Sequence, residues 1–92
     1  MSQPTSPVRV AVVQFDPQVG LDNRESNLHR SLALAAEAVN GGANLIVLPE
    51  LSNCGYFFNS RQDAFEHAEV VPGGASVQAW MTFAATHQVY LV

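Results

Sequence analysis

Three apolar runs along the chain predict three strands. The first, Val8 to Phe15, is rich in β-branched residues, and Ala11 interrupts its alternation. The second, Leu45 to Leu48, is unbroken and too short for a helix, and the third begins at Val89. Apolar runs without polar alternation are typical of strands that are covered on both faces, so we expect both faces of this sheet to be buried.

The segment between the first two runs has the periodicity of a helix. Asp22, with Glu25 three residues later, predicts an acidic capping box at its start, and Asn40-Gly41-Gly42 predicts its end. Apolar residues recur at spacings of three, four and seven, which gives one stripe. The stripe consists of Leu28, Leu32, Ala35, Ala36 and Val39. Strand, helix and strand together predict a βαβ unit with parallel strands.

Two further helices are predicted between the second and third runs. One has Ser60 as its cap, with Asp63 three residues later, and ends near Ala68. The other begins at about Ser76, after the turn Pro72-Gly73-Gly74. Its apolar face is formed by Val77, Trp80, Met81 and Ala84. This order of elements predicts an α/β fold with parallel strands.

Glu50 is the residue whose position most strongly indicates chemistry. Pro49 cannot donate to a sheet ladder, so Glu50 is expected just beyond the carboxyl end of the second strand, on the same edge as Asp16 after the first. Ligands of open α/β sheets bind at that edge. We therefore expect Glu50 partly buried at the mouth of a crevice, as a candidate general base. Capping the turn or pairing with an arginine is the alternative that the residues alone leave open.

Other side chains near Glu50 are weaker candidates. The aromatic residues that follow it either wall a pocket or pin the loop, and we take Tyr56 and Phe58 as candidate substrate-binding residues. Cys54 has no cationic neighbour in sequence to make it a thiolate, so we expect a packed, unreactive thiol. The three histidines lie on separate predicted helices without metal-ligand spacing, and no metal site is predicted.

Composition limits the class of protein. The 92 residues, 48% of them hydrophobic, make at most one small domain. A net charge of −4, with four arginines and no lysine, provides no basic surface for nucleic acid or an anionic membrane. No apolar run approaches the roughly 20 residues that span a bilayer, and no secretory signal is present, so we expect a cytoplasmic protein.

The residues around Glu50 resemble those of a known family. Leu48-Pro49-Glu50-Leu51, preceded by Gly42-Ala43-Asn44 and followed by Gly55-Tyr56, resembles the glutamate region of the nitrilase superfamily of carbon–nitrogen hydrolases. Further parts of the chain resemble the same family in the same order: Gln14 and Asp16-Pro17 of the first strand, Asn27 of the first helix, and Pro72-Gly73-Gly74.

The resemblance implies an αββα sandwich, of which this chain is the amino-terminal βαβαβ portion. It also implies a Glu-Lys-Cys triad that works without a cofactor, with Glu50 as the general base. Since the chain has no lysine and its one cysteine follows Glu50 closely, we expect the lysine and the nucleophilic cysteine outside it. We therefore expect residues 1–7 to be a flexible leader and residues 8–92 to be a truncated, amino-terminal part of the hydrolase domain.

The implied activity is hydrolysis of a small-molecule amide or N-carbamoyl substrate, with a nitrile less favoured, through a cysteine thioester. The full-length form is expected to be a homo-oligomer, because sandwiches of this family associate, and the 92 residues alone are expected to be inactive. The alternative is a noncatalytic α/β association module or pseudoenzyme fragment, whose sheet edge and half-covered core would pair with a partner.

Overall fold

The computed structural model describes residues 7–92 and has three strands and three α-helices. In chain order these are β1 (Val10–Val12), α1 (Arg24–Asn40), β2 (Leu45–Val47), α2 (Arg61–His67), α3 (Ala75–His87) and β3 (Tyr90–Leu91). A 3-10 turn, Leu21–Asn23, leads directly into α1. The predicted leader, residues 1–7, lies outside the described residues except for Pro7.

The three strands form one parallel sheet in the order β1-β2-β3. The central strand pairs Ile46 with Ala11 on one side and with Leu91 on the other. The main-chain ladder continues past the ends of the strands, with Val13 N donating to Val47 O at 2.8 Å. The predicted α/β class and parallel pairing are therefore confirmed, and β1 and β2 both end at the same edge of the sheet.

The core lies between the sheet and the helices on one of its faces. Its buried members are Val13, Ala35, Ala43 and Ile46, and Phe83 of α3 packs against them. Ile46 on the central strand has no exposed surface. Trp80 Nε1 on α3 donates to Ser31 Oγ on α1 at 2.9 Å, which joins the two helices.

The other face of the sheet is open in the described residues. Val12 is 76% exposed and Tyr90 77%, and Val10 on the same face is also exposed. The prediction that the strands are covered on both faces is therefore wrong for residues 7–92. The physical reason is that α1 and α3 pack only on the face of the sheet that contains Val13 and Ile46. Because side chains alternate along a strand, Val10 and Val12 point to the opposite face.

The helix starts agree only partly with expectation. For α2 the capping box is confirmed, because Ser60 Oγ accepts from Asp63 N at 3.0 Å and Asp63 Oδ2 accepts from Asn59 N at 3.0 Å. For α1 the predicted capping box is wrong, since Asp22 lies inside the 3-10 turn and the N-cap, Asn23, makes no side-chain cap bond. The continuous 3-10 turn takes the place of a capped start.

The remaining helix predictions concern ends and faces. Gly42 follows α1 with a φ of +90°, which fits the predicted termination. The prediction that Met81 is packed is wrong, because Met81 is 53% exposed, whereas Phe83 packs against the core. Within residues 7–92, no helix combines the length and the apolar content that crossing a membrane requires.

Candidate active site

The loop that follows β2 carries Glu50 at the carboxyl edge of the sheet. The side chain of Glu50 is exposed, so the prediction of partial burial is wrong within the described residues. Other residues of this loop are buried: Ser52 and Cys54 are each only 5% exposed. Glu50 therefore projects from a loop that is anchored by its neighbours.

The backbone beside Glu50 adopts an uncommon conformation. Leu51 has a φ of +55°, in the left-handed region that residues with a Cβ rarely occupy. Its carbonyl accepts hydrogen bonds from Cys54 N at 3.1 Å and Gly55 N at 2.9 Å. The hydroxyl of Ser52 donates to Pro49 O. Strained residues of this kind persist where their surroundings fix them, and they cluster at functional sites.

Gly55 brings the loops after β1 and β2 into direct contact. Its φ is +76°, and a Cβ there would lie 3.0 Å from both Pro17 O and Val19 Cγ2. Both the dihedral angle and the close approach therefore require glycine. This contact places the loop of Glu50 against the loop that Asp16 begins.

Asn27 on α1 joins the same two loops through hydrogen bonds. It is 3% exposed. Its Oδ1 accepts from Gln18 N at 2.8 Å, and its Nδ2 donates to Gln18 O at 2.7 Å and to Asn53 O at 3.2 Å. A buried amide with three partners has a fixed orientation, so Asn27 holds both loops in one register relative to α1.

A buried carboxylate, Glu69, binds the other side of the Glu50 loop. Its side chain is 8% exposed. Oε1 accepts from Ser76 N at 2.8 Å, and Oε2 accepts from Ser76 Oγ at 2.5 Å and from Asn53 Nδ2 at 2.8 Å. Arg24 Nε lies 3.5 Å from Oε2. Glu69 thus links the loop after β2 to the starts of α1 and α3.

These partners keep Glu69 ionised. Burial raises the pKa of its carboxyl, but hydrogen bonds from Ser76 and Asn53 and the charge of Arg24 outweigh that effect, and the pKa is lower than usual. A carboxyl whose pKa is depressed by folding stabilises the fold above its unfolded pKa, and that contribution is lost as the pH falls through the folded value. The network is therefore complete at neutral pH.

Sequence reasoning did not identify Glu69 as a site residue. A signal was available at the start of α3, whose N-cap, Gly74, has no side chain to bind the free N–H groups of the first turn. Glu69 provides the missing acceptor by binding Ser76 N. For α3, the glycine N-cap leaves first-turn N–H groups that need an acceptor from elsewhere in the chain or from water.

The tight packing of Gly74 on Glu69 predicts unequal effects of substitution at two adjacent glycines. A Cβ at Gly74 would lie 2.7 Å from Glu69 Oε1 and 2.7 Å from Val70 O, whereas one at Gly73 would meet nothing within 4 Å. We expect Gly74→Ala to lower the free energy of unfolding by about 1–3 kcal/mol. Gly73→Ala, the matched control, is expected to stay within about 0.5 kcal/mol of the wild type. Urea denaturation measures both, and equal values would contradict the packing.

The remaining candidate side chains of the loop, Cys54, Tyr56 and Phe58, differ in their surroundings. Cys54 is buried, and burial raises the pKa of its thiol, with Arg24 opposing and Glu69 reinforcing the shift. The predicted packing of Cys54 is confirmed, and its lack of reactivity stays a prediction. Phe58 packs edge to face on His67 with ring centroids 5.3 Å apart, whereas Tyr56 is 60% exposed.

The roles of Tyr56 and Phe58 in substrate binding remain predictions. Tyr56 is accessible to a ligand, and Phe58 is held against α2 by His67. In the part of the chain that the structure describes, no group of three or more His, Cys, Asp or Glu side chains is arranged to hold a metal ion.

Comparison with known proteins shows the family of this chain. The family model described as carbon-nitrogen hydrolase matches residues 9–92. A nitrilase of Pyrococcus abyssi is 39% identical over 85 residues, which cover 92% of this chain and 32% of the relative. A glutamine-dependent NAD(+) synthetase of Acinetobacter baylyi is 44% identical over 48 residues, which cover 52% of this chain and 8% of the relative.

The chain therefore spans about a third of the length of the first relative and less than a tenth of the second. The family match extends over all three strands and all three helices and includes Glu50. The predicted resemblance to the nitrilase superfamily is confirmed. On this match, the chain belongs to the carbon-nitrogen hydrolase family.

Proposed function

We propose that these residues supply the general base of a hydrolase that cleaves non-peptide carbon–nitrogen bonds. The observation that carries the proposal is the position of Glu50, three residues beyond β2 at the carboxyl edge of a parallel sheet, within the span matched by the family. We use "complete protein" for the polypeptide that contains these residues together with the lysine and the nucleophilic cysteine that the chain lacks.

The proposed reaction proceeds in two steps. The Glu50 carboxylate takes the proton from the cysteine thiol, and the thiolate attacks the amide or carbamoyl carbon. The lysine stabilises the negative charge that develops, and Glu50 passes the proton to the substrate nitrogen as the carbon–nitrogen bond breaks, so that ammonia or an amine leaves and the thioester remains. Water then attacks the acyl carbon and the carbon–sulfur bond breaks, so that the acid is released and a proton from that water restores the thiol. Because Glu50 is exposed in residues 7–92, its carboxylate is accessible to a thiol from outside the described residues.

We place amide and N-carbamoyl substrates before nitriles. The Gly55-Tyr56 loop resembles those branches of the family. The Acinetobacter relative depends on glutamine, whose side chain is a primary amide, and this supports the same order. The Pyrococcus relative is a nitrilase, so a nitrile belongs among the compounds assayed.

A noncatalytic association module is the second candidate function. The open face of the sheet favours it, because Val10 and Val12 on β1 and Tyr90 on β3 expose apolar surface on both sides of the central strand. Exposed apolar surface of this kind marks a place where another protein surface binds. Activity of the complete protein separates the two candidates.

Ammonia release tests the proposal. The complete protein should release ammonia from a primary amide or an N-carbamoyl compound, and residues 1–92 alone should release none. Cys54→Ala in the complete protein should keep kcat within about threefold of the wild type, because a buried thiol of raised pKa does not act as the nucleophile. Turnover that Cys54→Ala abolishes would contradict the proposal, and so would a complete protein inactive on amides, N-carbamoyl compounds and nitriles.

A further inference from the structure

We propose that Asn53 is a positioning residue that sets the place of Glu50. The inference rests on the proposed function, since it concerns the placement of the general base. Asn53 follows Glu50 by three residues in the same loop. Its main-chain carbonyl accepts a hydrogen bond from the buried side chain of Asn27, and its side-chain amide donates one to the buried carboxylate of Glu69.

The contact from Asn27 fixes the backbone of Asn53. Asn27 Nδ2 donates to Asn53 O at 3.2 Å, and the same amide exchanges two hydrogen bonds with the backbone of Gln18. Rotating the amide would break both bonds to Gln18. The N–H of Asn27 therefore points to Asn53 O in one orientation only. This hydrogen bond holds the backbone of the loop in place relative to α1.

The contact from Glu69 fixes the side chain of Asn53. Asn53 Nδ2 donates to Glu69 Oε2 at 2.8 Å and lies 3.4 Å from Ser76 Oγ. Hydrogen bonds to a charged acceptor are stronger than those between neutral groups. Ser76 and Arg24 hold Glu69 itself, so the anchor does not move with the loop.

The segment between Asn53 and Glu50 has little freedom to absorb a displacement. The backbone of Leu51 is in the left-handed conformation, and the hydroxyl of Ser52 donates a hydrogen bond to Pro49 O. A shift at Asn53 is therefore transmitted to Glu50. Misplacing a reacting group by about 1 Å costs on the order of 10²-fold in rate.

An exchange of amide and carboxylate tests the inference in the complete protein. Asn53→Asp keeps the shape of the side chain but replaces its N–H donor by a carboxylate that faces Glu69. We expect kcat to fall about 10- to 100-fold, with KM changed less than about threefold. Adding Glu69→Gln should restore kcat to within about threefold of the wild type, because the introduced glutamine amide then donates to the introduced aspartate.

Two further measurements separate positioning from general destabilisation. Ile46→Val removes a methylene from the fully buried core without altering the loop, and it should lower stability while kcat is unchanged. Hydrogen exchange of peptides that cover residues 49–55 should be faster in Asn53→Asp and return toward the wild type in the double variant. This second readout does not depend on turnover.

The outcomes are distinguishable. Unchanged hydrogen exchange in Asn53→Asp would overturn the anchoring. Faster exchange with unchanged kcat, in a protein that Glu50→Gln inactivates, would overturn the positioning role alone. A double variant no more active than Asn53→Asp would also overturn it. A fully active Glu50→Gln variant would instead contradict the proposed function, and the positioning of a base would be overturned with it.

Discussion

Glu50→Gln in the complete protein should lower kcat by about 10³-fold, within the range of 10²- to 10⁴-fold that general base catalysis contributes. Glutamine keeps the shape of the side chain but cannot take a proton from the thiol. Because Glu50 is exposed, the substitution should leave the fold and its stability unchanged. Steady-state ammonia release measures kcat, and circular dichroism with urea denaturation measures the fold.

Glu25→Gln is the matched control for this prediction. It makes the same chemical change at a carboxylate whose side chain is 86% exposed, at the start of α1. Its kcat should remain within about twofold of the wild type, because Glu25 lies on α1 and not in the loop that carries the proposed base. Equal losses for the two variants would show that Glu50 has no special role.

Val12→Asp should lower the free energy of unfolding of the complete protein by at least about 3 kcal/mol, because the αββα sandwich would bury this charge without a partner. Val12 is 76% exposed in the described residues and lies beside Val47 on the open face of the sheet. A second sheet packed on that face would remove both side chains from water. Urea denaturation of the complete protein measures the loss.

Val70→Asp is the control for Val12→Asp. Val70 is 73% exposed, and it lies between α2 and α3 outside the sheet. We expect a change within about 0.5 kcal/mol, as for most surface substitutions. A loss at Val12 no larger than the loss at Val70 would mean that solvent covers the open face, and would contradict the sandwich.

The order of elements was predictable from local patterns. The apolar run Leu45 to Leu48 predicted the central strand, and the spacing of Ser60 and Asp63 predicted the start of α2, because both signals depend on residues close together in sequence. The open face was not predictable in this way. The apolar run Val8 to Phe15 is typical of a strand that is covered on both faces. Residues 7–92 cover only one of those faces.

The site was predictable to a smaller extent. The position of Glu50 beyond β2 followed from Pro49 and the parallel strands. Its exposure did not, since burial depends on residues distant in sequence. Glu69 was missed for the same reason: its partners Asn53 and Ser76 lie 16 and 7 residues away, and no local spacing connects them.

Mass spectrometry of the acyl-enzyme tests most directly whether Glu50 activates a cysteine outside these 92 residues. The complete protein, quenched shortly after mixing with an amide substrate, should carry the acyl group on a cysteine other than Cys54. Under the same conditions Glu50→Gln should carry almost none. An acyl group on Cys54, or equal acylation of the wild type and Glu50→Gln, would contradict the account.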